Sequence, residues 1–195
     1  MDELTAEQAV EEARGLTFEN VWAMVVQTQK MIQETQAAQK ETAKQISDLS
    51  KNVGGISNKL GKFTEAMFAS ELWEKFNRLG YSFTSEAPRM RFYENGQVLA
   101  EVDFFLENGI YAMPVEIKTE LLEADVEDHI DRIEKIRHYM DSKNDNRKLV
   151  GAVAGGIVSE SVLRYAQKRG LFVIQQNGDS VSIAASPVGF KVREW

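Results

Sequence analysis

The chain has 195 residues, 43% of them hydrophobic and 27% charged, a balance typical of one globular domain with an appendage. It contains no cysteine, which excludes disulfides, thiolate zinc sites and cysteine nucleophiles and favours a reducing, cytoplasmic location. The formal net charge of −7 argues against a protein that coats nucleic acid by bulk charge, but it is compatible with an acidic site neutralised by a cation.

The N-terminal segment is acidic and polar, so it predicts neither a secretory signal nor a transit peptide. No stretch of the sequence approaches the ~18 apolar residues that a membrane-spanning helix needs. We therefore expect no membrane partner.

Residues 1–60 are predicted to form a helical coiled-coil region. Alternating three-four spacing continues for six heptads from Phe18 to Leu60, as is typical of a coiled-coil seam, so we expect a homo-oligomer through residues 18–60. β-Branched residues at one heptad position favour a parallel dimer, while the polar centre of the seam predicts a weak or register-setting contact. A single amphipathic helix folded back on the globular domain is the alternative. Gly54–Gly55 is expected to break or kink the helix.

Residues 61–195 are predicted to form an α/β domain in which a mixed central sheet is flanked by helices. Apolar residues at helical spacing alternate along the chain with strand-like segments. Helices are predicted over residues 62–79, 124–142 and 160–169, and strands over residues 81–84, 89–93, 98–107, 111–118, 149–158, 171–174 and 181–185. The last two strands flank a turn at Asn177-Gly178-Asp179.

Two of these strands gather acidic residues on one face. A tight turn at Asn108-Gly109 predicts a hairpin in which Glu107 pairs with Ile110. Side chains alternate along a strand, and opposed residues share a face. One face is then apolar, with Val98, Ala100, Val102, Phe104 and Leu106. The other carries Glu101, Asp103, Phe105, Glu116 and Lys118, with Asp103 diagonal to Glu116.

Carboxylates this close repel each other unless a cation or a proton lies between them. Hard oxygen ligands suit Mg²⁺ or Mn²⁺. The alternative is an ordinary solvent-exposed sheet face, which also alternates polar and apolar side chains.

The first helix of the domain adds a further carboxylate. Its apolar stripe contains Phe68, Leu72, Phe76 and Leu79, and three residues before Phe68 the same stripe reaches Glu65. Glu65 is thus expected at a cleft, although an acidic residue in the first turn of a helix is also favoured by the helix dipole.

The ordered set resembles the PD-(D/E)XK nuclease superfamily, which has a restriction-endonuclease-like fold. The matching residues are Glu65 on a helix, Asp103 on a strand, and Glu116-Ile117-Lys118 on the next strand. The resemblance covers about residues 61–187 and is greatest to an uncharacterised prokaryotic branch with N-terminal coiled coils. The proline of the family motif is missing, since Val102 precedes Asp103.

The resemblance implies a catalytic set of Glu65, Asp103, Glu116 and Lys118. Asp103, Glu116 and the carbonyl of Ile117 would bind Mg²⁺, or Mn²⁺, with help from Glu65. Lys118 would orient the attacking water and stabilise the transition state, and Glu101 is a possible helper.

Basic residues near this site are the candidates for nucleic-acid binding, with DNA favoured over RNA as the partner. They are Arg89, Arg91, Arg132 and Lys135. A charge-rich helix such as the one that carries Arg132 and Lys135 is also compatible with an ordinary solvated face. His129 and His138, nine residues apart, do not form a metal pair, and His129 is expected at the surface.

Two functions are compatible with the sequence. The first is a Mg²⁺-dependent nuclease, a hydrolase of nucleic-acid phosphodiester bonds that is oligomerised by its coiled coil. The second is a catalytically silent scaffold that keeps the nuclease fold and assembles through the coiled coil. All four catalytic residues of the family pattern are present, and this favours the first.

Overall fold

The structure, a computed structural model, describes residue 10, residues 14–178 and residues 180–195, without the side chains of residues 70 and 71. Asp179 of the predicted turn and most of the first thirteen residues lie outside this range. The chain divides into two compact units, Met1–Gly55 and Ile56–Trp195.

The predicted α/β class is confirmed, with a mixed sheet flanked by helices and a long N-terminal helix. Within the described residues the sheet has seven strands, in the order β1-β2-β3-β5-β6-β7 with β4 paired to β3. The elements are α1 (Phe18–Arg78), β1 (Ser85–Glu94), β2 (Gln97–Glu107), β3 (Tyr111–Leu121), α2 (Glu123–Ser142), β4 (Lys148–Leu149), β5 (Ala152–Val158), α3 (Glu160–Lys168), β6 (Phe172–Asn177) and β7 (Ser180–Ile183).

The predicted helix break at Gly54–Gly55 is wrong, because α1 is continuous through both glycines. Glycine costs about 1 kcal/mol relative to alanine inside a helix, a penalty that the cooperative hydrogen bonding of a long helix can absorb. Neither position has a neighbouring atom within 4 Å of where a β-carbon would lie, so packing does not require glycine there.

The strand predicted at residues 81–84 is also wrong. These residues have no regular secondary structure, and β1 begins at Ser85. The Asn77 side chain, near the end of α1, accepts a hydrogen bond from the Phe83 backbone N–H at 2.6 Å and donates one to its carbonyl at 3.1 Å. A side chain therefore satisfies the backbone groups that a neighbouring strand would otherwise bind.

Apolar clusters cover both faces of the sheet. On one face the last turns of α1 bury Phe68, Leu72 and Phe76, and on the other α2 buries its own apolar stripe. Strands covered on both faces are expected to be continuously apolar, as in the Ala152–Ala154 segment of β5.

The predicted apolar face of β2 is wrong beyond Asp103. Ala100 and Val102 pack in the cluster with α2, whereas Phe104 and Leu106 pack in the cluster with α1. Phe105, expected on the polar face, is buried in the same cluster as Val102. The alternation of side chains thus changes phase at Asp103.

The predicted pairing of Glu107 with Ile110 is wrong, because Glu107 pairs with Ala112. The Asn108 side-chain oxygen accepts hydrogen bonds from the N–H groups of Ile110 and Tyr111, at 2.7 and 2.6 Å, and this holds a wider turn. A shift of two residues preserves the face of each side chain, while a shift of one would invert it.

None of the helices in the described part of the chain is long and apolar enough to cross a membrane.

Two glycines make a matched test of this description of α1, Gly54 inside the helix and Gly80 just beyond its end at Arg78. Gly54→Ala should stabilise the protein by about 1 kcal/mol, because alanine removes the glycine penalty in open space. Gly80→Ala should destabilise it, since Gly80 has a φ of +94°, where a β-carbon is strained. Urea denaturation followed by far-ultraviolet circular dichroism measures both changes. A loss of stability in Gly54→Ala would contradict a continuous helix.

Candidate functional site

Between β2 and β3, the Asp103 side chain replaces a backbone carbonyl as the acceptor of one hydrogen bond. Regular pairing of the two strands extends from Glu107↔Ala112 to Phe104↔Val115. Beyond that point an Asp103 carboxylate oxygen accepts the Ile117 N–H at 2.8 Å. Burial and the nearby charge of Glu116 raise the pKa of Asp103 to about 6, although the Ile117 hydrogen bond acts to lower it.

Glu116 is a buried carboxylate, with only 2% of the residue exposed. The Lys118 ammonium contacts one of its oxygens at 2.8 Å, and the Arg132 guanidinium donates a hydrogen bond to the other. Burial acts to raise the pKa of Glu116, but the hydrogen bonds from these two cations outweigh it and leave the pKa below its usual value. Glu116 is therefore ionised inside the protein.

Lys118 reaches the site from the same strand as Glu116, and its side chain is 36% exposed. Burial acts to lower its pKa, yet the contact with Glu116 raises the pKa above its usual value. Asp125 lies 3.9 Å from the ammonium and also accepts the Leu122 N–H at 3.0 Å at the start of α2. Lys118 is thus a cation in partial contact with solvent, held over two carboxylates.

Glu65 lies across a small cavity from Asp103, paired with Arg89. The Glu65 carboxylate and the Arg89 guanidinium are 3.3 Å apart. The cavity has a volume of about 210 Å³, and Glu65, Arg89, Asp103, Lys62 and Pro88 are among the residues that line it. The sequence-predicted carboxylates Glu65 and Asp103 therefore face one cavity.

Arg89 has a strained backbone at the level of Asp103. Its φ is +50°, a left-handed value that a residue with a β-carbon rarely adopts. The regular pairs of β1 with β2 include Pro88↔Phe104 and Met90↔Val102. Arg89 and Asp103, which lie between these pairs, are not paired in the ladder. Both strands are thus irregular at the same point of the sheet, which directs one cation and one carboxylate into the site.

The remaining predicted residues are placed differently. Glu101 binds Arg91 at 2.6 Å on the exposed surface, and in the described residues no hydrogen bond or ion pair joins Glu101 to Asp103, Glu116 or Lys118. Arg132 is engaged by Glu116. Lys135 is exposed and lines a separate cavity of about 510 Å³ beside α2.

His129 contradicts its predicted surface position, because it is fully buried. Its Nε2 lies 3.3 Å from the Pro114 carbonyl, and burial lowers its pKa to about 4. The spacing of the sequence contained the signal: Val126, His129, Ile130 and Ile133 follow the i, i+3, i+4, i+7 pattern of a core-facing stripe. Position in the stripe therefore outweighs the polarity of the residue.

The donor set fits a divalent cation of the Mg²⁺ type. In the part of the chain that the structure describes, no group of three or more His, Asp or Glu side chains could hold a metal. However, Mg²⁺ is commonly held by one or two carboxylates, with waters and substrate phosphates completing the shell. Asp103 and Glu116 are two such carboxylates, and a cation would offset both the burial and the Glu116 charge that raise the pKa of Asp103.

Comparisons with known proteins give little beyond this geometry. No protein-family model matches the chain, and no curated protein matches it in sequence. Its fold is similar to that of the small subunit (R.BspD6I2) of the heterodimeric restriction endonuclease R.BspD6I. The identity is 15%, the TM-score is 0.32, and the match covers 65% of this chain and 71% of that chain. A similarity at this level assigns no activity.

The buried ion pair predicts a non-additive pair of substitutions. Arg132→Met should destabilise the protein by about 3 kcal/mol, because it leaves the buried Glu116 charge with one partner fewer. Adding Glu116→Gln to Arg132→Met should recover most of that loss, since the uncompensated charge is then removed. The free energies of unfolding in urea measure both effects, and losses that simply add would contradict the coupling.

The burial of His129 predicts a pH-dependent difference in stability. Because its pKa is lowered to about 4, the unfolded chain takes up a proton at a pH where folded His129 cannot. Stability is therefore lost as the pH falls from about 6.5 towards 4, by up to about 3 kcal/mol. Asp103 has the opposite effect over much of this range, because its raised pKa favours the folded state at acidic pH.

The test is thus a difference between two proteins rather than one pH profile. His129→Gln keeps an N–H donor for the Pro114 carbonyl but cannot titrate. Relative to the wild type, this variant should gain stability between pH 6.5 and pH 4. A difference in unfolding free energy that does not change with pH would show that His129 is not buried in its neutral form.

Proposed function

We propose that residues 61–195 form a restriction-endonuclease-like domain that hydrolyses phosphodiester bonds of nucleic acid, with DNA as the favoured substrate and Mg²⁺ or Mn²⁺ as cofactor. The observation that carries the proposal is that Asp103 accepts the N–H of Ile117, the residue after the buried, ionised Glu116, and that the Lys118 ammonium lies 2.8 Å from the Glu116 carboxylate. Two acids that repel each other beside a half-exposed cation form a costly arrangement, which phosphoryl chemistry would explain.

In this proposal Asp103 and Glu116 hold the divalent cation, and the carbonyl of Ile117 is a further candidate ligand. A divalent cation supplies Lewis acidity: it polarises the phosphoryl group and lowers the pKa of water. Ile117 donates its N–H to Asp103, so the backbone at this residue already orients one of the two carboxylates. Arg132 holds Glu116 ionised and in place from α2.

Lys118, Glu65 and Arg89 would act on the substrate. Lys118, the exposed member of the buried pair, orients the attacking water and stabilises the charge that develops on the phosphoryl oxygens. The Arg89 guanidinium leaves Glu65 and binds a substrate phosphate. Glu65 is then free to accept a hydrogen bond from the attacking water. Such an exchange is feasible because this pair is partly solvated, with side chains 52% and 26% exposed.

The expected assay result is cleavage that requires a divalent cation and Lys118. A panel of linear, circular, single-stranded and branched nucleic acids is incubated with Mg²⁺ or Mn²⁺. Lys118→Ala should reduce the rate by about 10²–10³-fold, the cost of losing one transition-state donor. The Glu116→Ala, Lys118→Ala double variant should be inactive, and Lys168→Gln is the control for loss of one exposed charge. Full activity in Lys118→Ala would disprove the assigned mechanism.

The second candidate function is a catalytically silent scaffold. It is favoured by one observation: Lys118 and Arg132 of the same chain already neutralise both oxygens of Glu116. A domain that keeps its fold without a metal would show this pairing as well. The function would then be assembly, with residues 18–60 joining copies of the chain. For both candidate functions, the cysteine-free sequence suits a cytoplasmic setting.

Metal binding separates the two candidates. Titration with Mn²⁺, followed by the relaxation of water protons, should show a site of about millimolar affinity that Asp103→Asn weakens. Asp131→Asn, which alters an exposed aspartate on α2, is the matched control and should leave the affinity unchanged. A wild-type protein that neither binds Mn²⁺ nor cleaves any substrate would favour the scaffold.

A further inference from the structure

From Phe18 to Asn58 the charges of α1 are confined to one side of the helix, and the first exception is Lys59. Heptad positions a to g are assigned here from Phe18 as the first a. All charged residues between Phe18 and Asn58 then lie at positions b, c and f, and positions a, d, e and g carry none. The charged residues are Glu19, Lys30, Glu34, Lys40, Glu41, Lys44, Asp48 and Lys51. A two-stranded coiled coil normally places charges at e and g, so the uncharged face of this helix is wider than a dimer requires.

The uncharged face is also apolar and uncovered within one chain. Phe18 is 80% exposed, Trp22 60% and Leu49 63%, although residues of this size are usually buried. The exposed apolar residues at positions a, d, e and g up to Ile56 are Phe18, Val21, Trp22, Met24, Val25, Met31, Ile32, Ile46, Leu49, Val53 and Ile56. Val26, at position b, is the exposed apolar residue outside this face. A heptad-periodic face is matched by helices with the same period, which other copies of this chain supply.

β-Branched residues occupy both seam positions. At position a they are Val25, Ile32, Ile46 and Val53, and at position d they are Val21, Thr28, Thr35, Thr42 and Ile56. Dimers favour β-branched residues at a with leucine at d, whereas β-branched residues at both positions shift the preference to trimers and tetramers. Leu49 is the single leucine at position d. The preference for a dimer follows from position a alone, whereas positions a and d together favour more strands.

Three of the four polar residues at the centre of the seam, all but Gln39 at position a, are compatible with burial. The hydroxyls of Thr28, Thr35 and Thr42 donate to the backbone carbonyls four residues earlier, at 2.8, 2.7 and 2.9 Å. Each threonine therefore presents its methyl group without an unpaired donor, and it can pack as a valine would. The threonines then add to the β-branched core instead of weakening it.

We infer that residues 18–60 assemble as a coiled coil of three copies of this chain. Three helices use the broad face formed by positions a, d, e and g and accept β-branched side chains in both seam layers. The inference rests on the proposed self-association of this region and is independent of the nuclease chemistry. The partner of each chain is two further copies of the same chain.

Sedimentation equilibrium of the full chain tests the inference directly. A mass three times the 22.0 kDa of one chain, maintained over a tenfold range of concentration, is the expected result. A mass twice that of one chain would overturn the trimer and leave self-association standing. The mass of a single chain would overturn both, and a fourfold mass would replace the trimer with a tetramer.

Substitution of the three threonines provides a matched pair of variants. Replacing Thr28, Thr35 and Thr42 together with leucine combines β-branched residues at a with leucine at d, so the mass should fall from threefold to twofold. Replacing the same three residues with valine keeps the β-branched shape and should keep the threefold mass. Far-ultraviolet circular dichroism confirms that both variants remain helical. Equal masses for the two variants would show that the threonines do not determine the number of strands.

Discussion

The Glu116 carboxylate keeps its charge at a position that is only 2% exposed, and much of the surrounding structure compensates for that charge. Transfer of an ion from water to a protein interior costs several kcal/mol unless opposite charges and hydrogen bonds replace the water. Lys118 from the same strand and Arg132 from the following helix both do so. The position of α2 against the sheet is therefore tied to the charge of one residue.

The second constraint lies where β1 and β2 lose their regularity together. Arg89 adopts a left-handed backbone and Asp103 marks the change of phase in β2, so neither belongs to the regular ladder. In a regular ladder, the side chains of Arg89 and Asp103 would follow the alternation of neighbouring side chains between the two faces of the sheet. The irregularity instead lets a strand present Asp103 beside the cavity that Glu65 lines, while hydrophobic residues on either side remain in the two cores.

The sequence predicted the order of most elements and the proximity of Glu116 and Lys118, because hydrophobic period and acid spacing are local properties. It could not predict the width of the turn after β2, which depends on two hydrogen bonds to the Asn108 side chain. That error was harmless, since a shift of two residues conserves the faces. The position of His129 was predictable from its helical stripe, but the chemical type of the residue suggested the surface. The partnership of Arg132 with Glu116 depends on tertiary packing, which no local pattern contains.

The hydrogen bond from Ile117 to Asp103 has a consequence for the local dynamics of the sheet. At this point a side chain, which can rotate and take up a proton, holds an amide hydrogen that a sheet carbonyl would otherwise hold. Exchange of that hydrogen with solvent can then proceed by reorientation of one carboxylate, without opening of the whole ladder. We therefore expect the Ile117 amide to exchange faster than the amides of the regular ladder around it, so that its exchange rate is a probe of the ionisation of Asp103.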